Sequence, residues 1–251
     1  MKKAIFIDLD GTLFNSQKQI SETNVAALSK AEKCGFAPVI CTGRSIKRVL
    51  SCNIPCIDYI IFNNGSGIYD CKAQEIIYSN PMRPESIRQV KSLAKKHKLE
   101  LLVTELPNKG GIVQIIPLSD DYDFMRSVVI PEIKKIPYIS IPNQSKKITD
   151  PNFEVDSTHD GGKAFCDIND ENSSKGNGIL KFAELFNIAK SDRIAIGDDL
   201  NDLSMFEACG YNVSMGNAIP VLKSRATYVT DTNDNDGVAK FIERLSKDAK
   251  V

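Results

Sequence analysis

The N-terminal part of the chain alternates between short apolar runs and an amphipathic segment. The apolar runs at residues 3–7, 36–41 and 59–62 are rich in β-branched and aromatic side chains, which predicts buried strands of a parallel sheet. Between the first two runs, apolar residues recur at helical spacing over residues 25–31, and Gly35 marks the end of the predicted helix. Strand, helix and strand in this order indicate an α/β protein.

The middle of the chain has a different pattern, with one amphipathic helix after Pro84 followed by segments typical of antiparallel strands. The predicted strands are residues 99–103, 112–116, 153–155 and 164–168, with a turn at 160–162. A polar stretch, residues 169–174, predicts a linker, and the α/β pattern resumes at Lys175.

Two domains are the simplest architecture that fits these patterns. We predict a doubly wound parallel sheet of the α/β class, formed by residues 1–82 and 172–251, with an α+β cap domain inserted at residues 83–171. The length of 251 residues is enough for both. In an open parallel sheet, ligands bind beyond the carboxyl ends of the strands, so the residues that follow the strands are the candidates for chemistry.

Composition and charge narrow the classes of partner. The 32 basic residues balance the 32 acidic ones, which argues against nucleic acid, because phosphate backbones demand a basic surface. No apolar run reaches the ~18–20 residues that span a bilayer, and Asp8 and Asp10 interrupt the first run too early for a signal peptide. The seven cysteines have scattered spacings and are expected to be free thiols. We therefore expect a cytoplasmic protein with no membrane or nucleic-acid partner.

Polar side chains gather directly after the predicted strands. The runs are Asp8-Leu9-Asp10-Gly11-Thr12, Thr42-Gly43-Arg44, Lys175 at a helix start, and Gly197-Asp198-Asp199-Leu200-Asn201-Asp202. Clustered carboxylates repel one another unless a cation joins them, and oxygen-rich clusters suit Mg²⁺. A carboxylate can attack phosphorus, while a lysine, a hydroxyl and Mg²⁺ offset the charge on the transferring group. These residue types therefore predict phosphoryl transfer.

Four motifs in order resemble those of the haloacid dehalogenase (HAD) superfamily and, within it, the Cof-type capped phosphatases. They are the DxDGT run at residues 8–12, the TGR run at 42–44, Lys175, and the GDxxxD run at 197–202. Asn64-Gly65, Met215-Gly216-Asn217-Ala218 and Asp236-Gly237-Val238 also match the Cof-type pattern. The resemblance covers both halves of the core and is weak over residues 83–170. It implies a Rossmann-like core that carries the chemistry and a cap that sets specificity.

The resemblance implies roles for the two aspartates of the first motif. Asp8 would be the nucleophile that forms an aspartyl-phosphate. Asp10 would be the general acid/base, which protonates the leaving alcohol and then deprotonates the water that cleaves the acyl-phosphate. The Asp8 side chain, the Asp10 backbone carbonyl and Asp198 would bind Mg²⁺.

The resemblance also implies which residues hold the phosphoryl group. Thr42, Gly43, Lys175 and Asn201 would bind it. Arg44 would help to close the cap or touch the substrate, with a salt bridge at the surface or cap as the alternative.

Four further residues have supporting or undecided roles. Asp202 would support Lys175 or a metal-bound water. Asp199 is open between a supporting role and a helix N-terminal acid. Asn64 and Asn217 are each open between a turn residue and support of the site.

The leading hypothesis is a Mg²⁺-dependent phosphatase of small phosphorylated metabolites, with sugar phosphates as one candidate class, acting as a monomer or weak homo-oligomer. A phosphomutase, which returns the phosphoryl group to the sugar, stays open as a second enzyme. A non-catalytic phospho-receiver is disfavoured, because receivers lack a cap and Asp10 argues for turnover. Acidic residues are in excess over residues 150–171, and we expect them to form a solvated face; facing the site, they would disfavour multiply phosphorylated substrates.

Overall fold

The computed structural model describes residues 3–107, 110–142 and 164–248, and the chain divides into two compact units. Met1–Tyr78 and Ser174–Val251 form the first, which we call the core unit. Ser79–Ser173 form the second, the cap unit. In sequence, the cap unit is an insertion between the two halves of the core unit.

Strands and helices occur in both units. In chain order the strands are β1 (Lys3–Ile7), β2 (Phe36–Cys41), β3 (Tyr59–Phe62), β4 (Gly67–Asp70), β5 (Glu75–Ser79), β6 (Glu100–Glu105), β7 (Ile112–Ser119), β8 (Ile139–Ser140), β9 (Ala164–Phe165), β10 (Asn169–Asp170), β11 (Arg193–Gly197), β12 (Tyr211–Ser214) and β13 (Tyr228–Val229). The helices are α1 (Glu22–Lys33), α2 (Ile46–Ser51), α3 (Pro84–His97), α4 (Tyr122–Phe124), α5 (Ile130–Ile133), α6 (Lys175–Phe186), α7 (Leu203–Ala208), α8 (Pro220–Lys223) and α9 (Gly237–Asp248).

The core unit is built on one sheet, whose described strands run in the order β13, β12, β11, β1, β2, β3, β4 and β5. The strands from β13 to β3 are parallel to their neighbours, and β4 is antiparallel to β3. From β1 the chain continues to β2 on one side, and it later returns through β11 on the other. The strand order therefore switches at β1, which is where open α/β sheets bind ligands. The predicted doubly wound sheet is confirmed.

Helix α6 is held firmly against this sheet. The ring of Phe182 packs edge-on against Phe6 of β1, with 5.6 Å between ring centroids. The first turn of α6 is close-packed as well, because a Cβ at Gly176 would overlap the carbonyl group of Ser204. These contacts fix the point at which α6 begins, and with it the position of Lys175.

The cap unit combines helices with antiparallel strands. Its described strands form a sheet in the order β6, β7, β9 and a short pair of β8 and β10, all antiparallel. Helix α3, a continuous helical stretch over residues 122–133 and the sheet together form an apolar cluster. Its buried members include Val90 of α3, Ile115 of β7, and Met125, Val129 and Ile133 of the helical stretch. This is the α+β class predicted for the insertion.

The linker predicted at residues 169–174 is wrong at its first two residues. Asn169 and Asp170 form β10, which pairs with β8, and both residues are buried. The Asn169 side-chain amide donates to the Val113 carbonyl at 2.9 Å. Polar residues are tolerated inside a protein when they have such partners, so a polar stretch of sequence is not by itself evidence for an exposed linker.

The acidic face expected over residues 150–171 is also wrong where the structure describes it. Asp167 and Asp170 are only 5% and 3% exposed, whereas Glu171 is exposed. Asp170 can be buried because its carboxylate accepts hydrogen bonds from within the cap unit. The other acidic residues of the segment, the strand predicted at 153–155 and the turn predicted at 160–162 lie outside the described residues.

A hydrogen-bonded cluster joins the two ends of the cap unit. Asn80, near the start of the unit, donates from Nδ2 to Asp170 Oδ1 at 3.2 Å and to Ser173 Oγ at 3.1 Å. Ser140 Oγ lies 2.8 Å from the Asp170 carbonyl oxygen and 3.0 Å from that of Ser173. The unit therefore closes on itself at the points where the chain enters and leaves it.

The cysteines are unpaired, as predicted. All seven lie in the described part of the chain, and each is a free thiol. Burial raises the pKa of Cys41 and of Cys166, so both are held as neutral thiols. None of the described helices is long and apolar enough to cross a membrane.

Candidate active site

A buried lysine joins two aspartates in the core unit, beyond the carboxyl end of β1. Lys175 Nζ donates to Asp8 Oδ1 and to Asp202 Oδ1, each at 2.6 Å. The three side chains are 1%, 7% and 0% exposed. Burial alone would lower the pKa of Lys175, but Asp202 and Asp8 raise it above its ordinary value. The lysine is therefore a permanent cation, and its position at the start of α6 brings it to the end of the strand.

Asp202 has a second task, in the turn after β11. Its Oδ2 accepts from the backbone N–H groups of Asp198 at 2.8 Å and Asp199 at 3.0 Å. Asp199 Oδ1 accepts from the Leu200 N–H at 2.7 Å, and the two aspartates cap the short helical turn that follows. Of the two roles left open for Asp199, the structure supports the helix N-terminal acid. Asp202 orients both Lys175 and the backbone of Asp198.

Asp198 completes a cluster of three carboxylates. In the part of the chain that the structure describes, carboxylate oxygens of Asp8, Asp198 and Asp202 lie within 4.8 Å of one another. Thr12 Oγ1 donates to Asp198 Oδ1 at 3.0 Å. Gly11 passes so close that a Cβ would overlap the Asp198 carboxylate, and its φ of +80° also favours glycine. The first motif therefore shapes the surroundings of Asp198 as well as supplying Asp8.

The cluster carries excess negative charge. The pKa of Asp8 is raised to about 7, chiefly by burial, with Lys175 opposing the rise and the charges of Asp202 and Asp10 adding to it. Burial, together with the charges of Asp8 and Asp202, raises the pKa of Asp198 well above its usual value. When all three carboxylates are ionised, the one ammonium leaves two negative charges, which one divalent cation would balance.

Asp8 and Asp198 are better placed than Asp202 to bind such a cation. Asp202 already uses Oδ1 for Lys175 and Oδ2 for two backbone N–H groups. Carboxylate oxygens are the donors that Mg²⁺ prefers, usually one or two of them with water and phosphate completing the shell. The donor set of Asp8 and Asp198 fits that requirement.

The Asp10 carboxylate lies outside this cluster, in an ion pair with Arg44. Arg44 donates from Nε to Asp10 Oδ2 at 2.8 Å and from a terminal nitrogen to Asp10 Oδ1 at 2.7 Å. Lys18 Nζ donates to the same Oδ1 at 2.9 Å. Burial alone would raise the pKa of Asp10, but Arg44 and Lys18 lower it well below its usual range. The carboxylate is therefore ionised, the form that can take a proton from water.

The contact of Arg44 with Asp10 differs from the roles expected for this arginine at the cap or on the substrate. The salt bridge lies inside the core unit and joins two motifs that the sequence analysis treated separately. The guanidinium also lies over the ring of Phe14, 5.2 Å from its centroid. The backbone N–H of Arg44 donates to Thr42 Oγ1 at 3.2 Å. Lys18 was not predicted at all, because it belongs to no motif and sits in a turn with a φ of +58°.

The residues expected to hold the phosphoryl group are linked through Asn64. Thr42 is buried, directly after β2. A Cβ at Gly43 would lie 3.1 Å from Asn64 Oδ1, and Asn201 Nδ2 lies 3.4 Å from the same oxygen. Asn64 is fully buried with a φ of +53°, so it is a turn residue whose side chain also reaches Asn201.

Comparison with known proteins gives matches along nearly the whole chain. The family model of the haloacid dehalogenase-like hydrolases matches residues 5–242. The 5-amino-6-(5-phospho-D-ribitylamino)uracil phosphatase YcsE of Bacillus subtilis is 31% identical, with 96% of this chain and 94% of the relative aligned. The pyridoxal phosphate phosphatase YbhA of Escherichia coli is 26% identical, with 96% and 97% aligned.

A solved structure shows the same fold. The haloacid dehalogenase-like hydrolase from B. subtilis superposes with a TM-score of 0.79 at 24% identity, over 97% of this chain and 99% of the other. Together the matches confirm the resemblance inferred from the motifs: the chain belongs to the haloacid dehalogenase-like hydrolases, as a phosphatase of the Cof type.

Proposed function

We propose that this protein hydrolyses small phosphorylated metabolites in the cytoplasm, with Mg²⁺ as cofactor and Asp8 as the nucleophile. The observation that carries the proposal is the buried Lys175, held between Asp8 and Asp202 at 2.6 Å from each. A lysine ammonium beside a nucleophilic carboxylate attracts a phosphate group and offsets the charge that develops as the group is transferred. A buried ion pair of this kind is costly for stability alone, which supports a chemical role.

The reaction takes place in two halves. Asp10, which is ionised in the substrate-free protein, takes up a proton when the substrate binds. The Asp8 carboxylate then attacks phosphorus and forms an aspartyl-phosphate, while the bond from phosphorus to the leaving oxygen breaks and Asp10 gives that oxygen its proton. Asp10 then takes a proton from water, which attacks the acyl-phosphate and releases inorganic phosphate and the Asp8 carboxylate. The two hydrogen bonds from Arg44 set the direction in which the Asp10 carboxylate points.

The remaining motif residues hold the phosphoryl group. Thr42, Gly43 and Asn201, connected through Asn64, would bind it together with Lys175. The Asp8 and Asp198 side chains, with the Asp10 backbone carbonyl, would hold Mg²⁺. When bound, Mg²⁺ would supply electrostatic stabilisation of the transferring group and keep Asp8 ionised.

The relatives support the proposed substrate class. One is named for a phosphorylated ribityl compound and the other for pyridoxal phosphate, and both of these are small metabolites with one phosphate. We propose that the core unit carries the chemistry and that the cap unit selects the substrate, with phosphorylated sugars and polyols as the first class to test.

The test is a phosphate-release screen with Mg²⁺ over hexose, pentose and polyol phosphates, nucleotides, 5-amino-6-(5-phospho-D-ribitylamino)uracil and pyridoxal phosphate. We expect phosphate release from at least one class, its loss in EDTA, and its recovery on adding Mg²⁺. Sugar products are analysed in parallel, because isomer formation without phosphate release would identify a phosphomutase. Undiminished turnover in metal-free buffer would overturn the proposed cofactor.

A further inference from the structure

The side chain of Asn217 connects two distant parts of the core unit. Its Nδ2 donates to the Gly11 carbonyl oxygen at 2.8 Å, and its Oδ1 accepts from the Asn233 backbone N–H at 3.0 Å. The contact with Gly11 spans 206 positions of the sequence. Both ends of the amide are therefore used in contacts to the protein, although the residue is exposed.

The loop that carries Asn217 also holds the turn after β11. The Met215 N–H donates to the Gly197 carbonyl at 3.0 Å, and the Ile219 N–H donates to the Asp198 carbonyl at 3.0 Å. The backbone of this loop thus contacts the Asp198 turn, while its Asn217 side chain contacts the turn between Asp10 and Thr12. The loop therefore contacts one turn through its backbone and the other through the Asn217 side chain, so Asn217 links the two turns.

Asn233 continues the same connection. Its Nδ2 donates to the Phe14 carbonyl oxygen at 2.9 Å, and the Phe14 ring lies under the guanidinium of Arg44. Arg44 in turn holds both oxygens of Asp10. A chain of contacts therefore leads from Asn217, directly and through Asn233, to the segment that places the Asp10 carboxylate.

We propose that Asn217 is a positioning residue for the phosphatase reaction, which holds the Asp10 loop in register with the Asp198 turn. The hydrogen bonds described for its side chain go to Gly11 and Asn233, so it acts on Asp10 through the Gly11 carbonyl. The inference deepens the proposed function and rests on it. A displacement of about 1 Å at a catalytic group can lower the rate ~10²-fold, so a single hydrogen bond at this place has a measurable effect.

The variant that isolates this hydrogen bond is Asn217→Asp. The two side chains have nearly the same shape, and the carboxylate can still accept from the Asn233 N–H. It cannot donate to the Gly11 carbonyl oxygen, and the two oxygens repel each other. Asn217→Ala, which removes both contacts, is the second variant and serves if the carboxylate impairs folding.

The matched control is Asn235→Asp. Asn235 is exposed like Asn217, receives the same change of charge, and its side chain donates to Asp231. We expect Asn217→Asp to lower kcat by ~10- to 100-fold with KM within about threefold, because the geometry of reaction rather than of binding is disturbed. Asn235→Asp should stay within about twofold of the wild type in both constants. The melting temperatures of both variants should be equal to within a few degrees.

Hydrogen–deuterium exchange on the substrate-free protein supplies a readout that does not depend on activity. In Asn217→Asp the peptide covering residues 9–16 should exchange faster than in Asn235→Asp, with the rest of the core unchanged. Wild-type kcat, or unaltered exchange in this peptide, for a folded Asn217 variant would overturn the inference. Should the wild-type protein release no phosphate from any substrate, the proposed function fails, while the exchange result still decides whether Asn217 holds the loop.

Discussion

Asp8 and Asp10 lie two residues apart, yet their carboxylates meet opposite surroundings. Asp8 is buried among carboxylates with one lysine beside it, and its pKa is raised to about 7. Asp10 is about a third exposed, with a side-chain exposure of 36%, and is paired with two cations that lower its pKa well below the usual range. The same chemical group is thus prepared for two tasks: one carboxylate requires a cation to be fully ionised, and the other is ionised by its protein partners alone.

The largest effect is expected from Asp8→Asn. The amide is a poor nucleophile, so no aspartyl-phosphate forms and turnover falls at least ~10³-fold. Asp10→Asn is the comparison, because it leaves the nucleophile in place. With p-nitrophenyl phosphate, whose leaving group needs little protonation, Asp10→Asn should accumulate phosphate on the peptide that contains Asp8. Rapid-quench mass spectrometry measures this; a label on another residue, or near-normal turnover of Asp8→Asn, would show that the nucleophile is wrongly assigned.

A smaller but still large effect is expected from Lys175→Ala. Loss of the buried ammonium should lower kcat/KM at least ~10²-fold, roughly 2.7 kcal/mol of transition-state stabilisation. It also leaves two buried carboxylates without their partner, which typically costs about 3–5 kcal/mol of folding free energy.

Lys181→Ala is the matched control for this prediction. It is on the same helix and pairs with Glu184 at 2.9 Å, but the two side chains are 32% and 70% exposed. Such a pair contributes about 0–1 kcal/mol, and activity should not change. Urea unfolding and initial rates distinguish the two variants, and equal stability and activity for both would mean that Lys175 has no special role.

The smallest effects concern the cations around Asp10. Arg44 holds both carboxylate oxygens, so Arg44→Ala should lower kcat by ~10- to 100-fold through loss of orientation. Lys18 is 55% exposed and contacts one oxygen, so Lys18→Ala should stay within about threefold, as for other exposed pairs. Initial rates at saturating substrate test which variant loses more activity. An equal loss in both variants would show that Asp10 requires positive charge nearby rather than the two hydrogen bonds from Arg44.

Much of the core could be predicted from the sequence because its signals are local. The apolar runs at residues 3–7 and 36–41 match β1 and β2, and the residues after them do gather at the switch point of the sheet. The support of Lys175 by Asp202 was among the roles expected, and the 2.6 Å contact agrees with it. The ion pair between Asp10 and Arg44 could not be predicted, because no local sequence pattern indicates which of several cations will pair with a given carboxylate.

The cap was predicted less well, for a different reason. No element was predicted for residues 122–133, which contain Pro131, a residue type that usually breaks a helix. Here it falls in the first turn of α5, directly after a stretch of π-helix, where its missing N–H is tolerated. Met125, Val129 and Ile133 are spaced four apart and are all buried, so a helical signal was present beside the proline.

The hydrogen bonds of Asn80 at the ends of the cap unit have a consequence for how such proteins diversify. Because Asn80 and Ser173 are joined at 3.1 Å, the insertion begins and ends at one place, and it can be exchanged as a single cassette. A host loop needs only two adjacent anchor points to accept it, and the insertion starts at the end of the last strand in the order of the core sheet, β5. Recombination can therefore replace the cap unit in one event while the core unit is inherited intact.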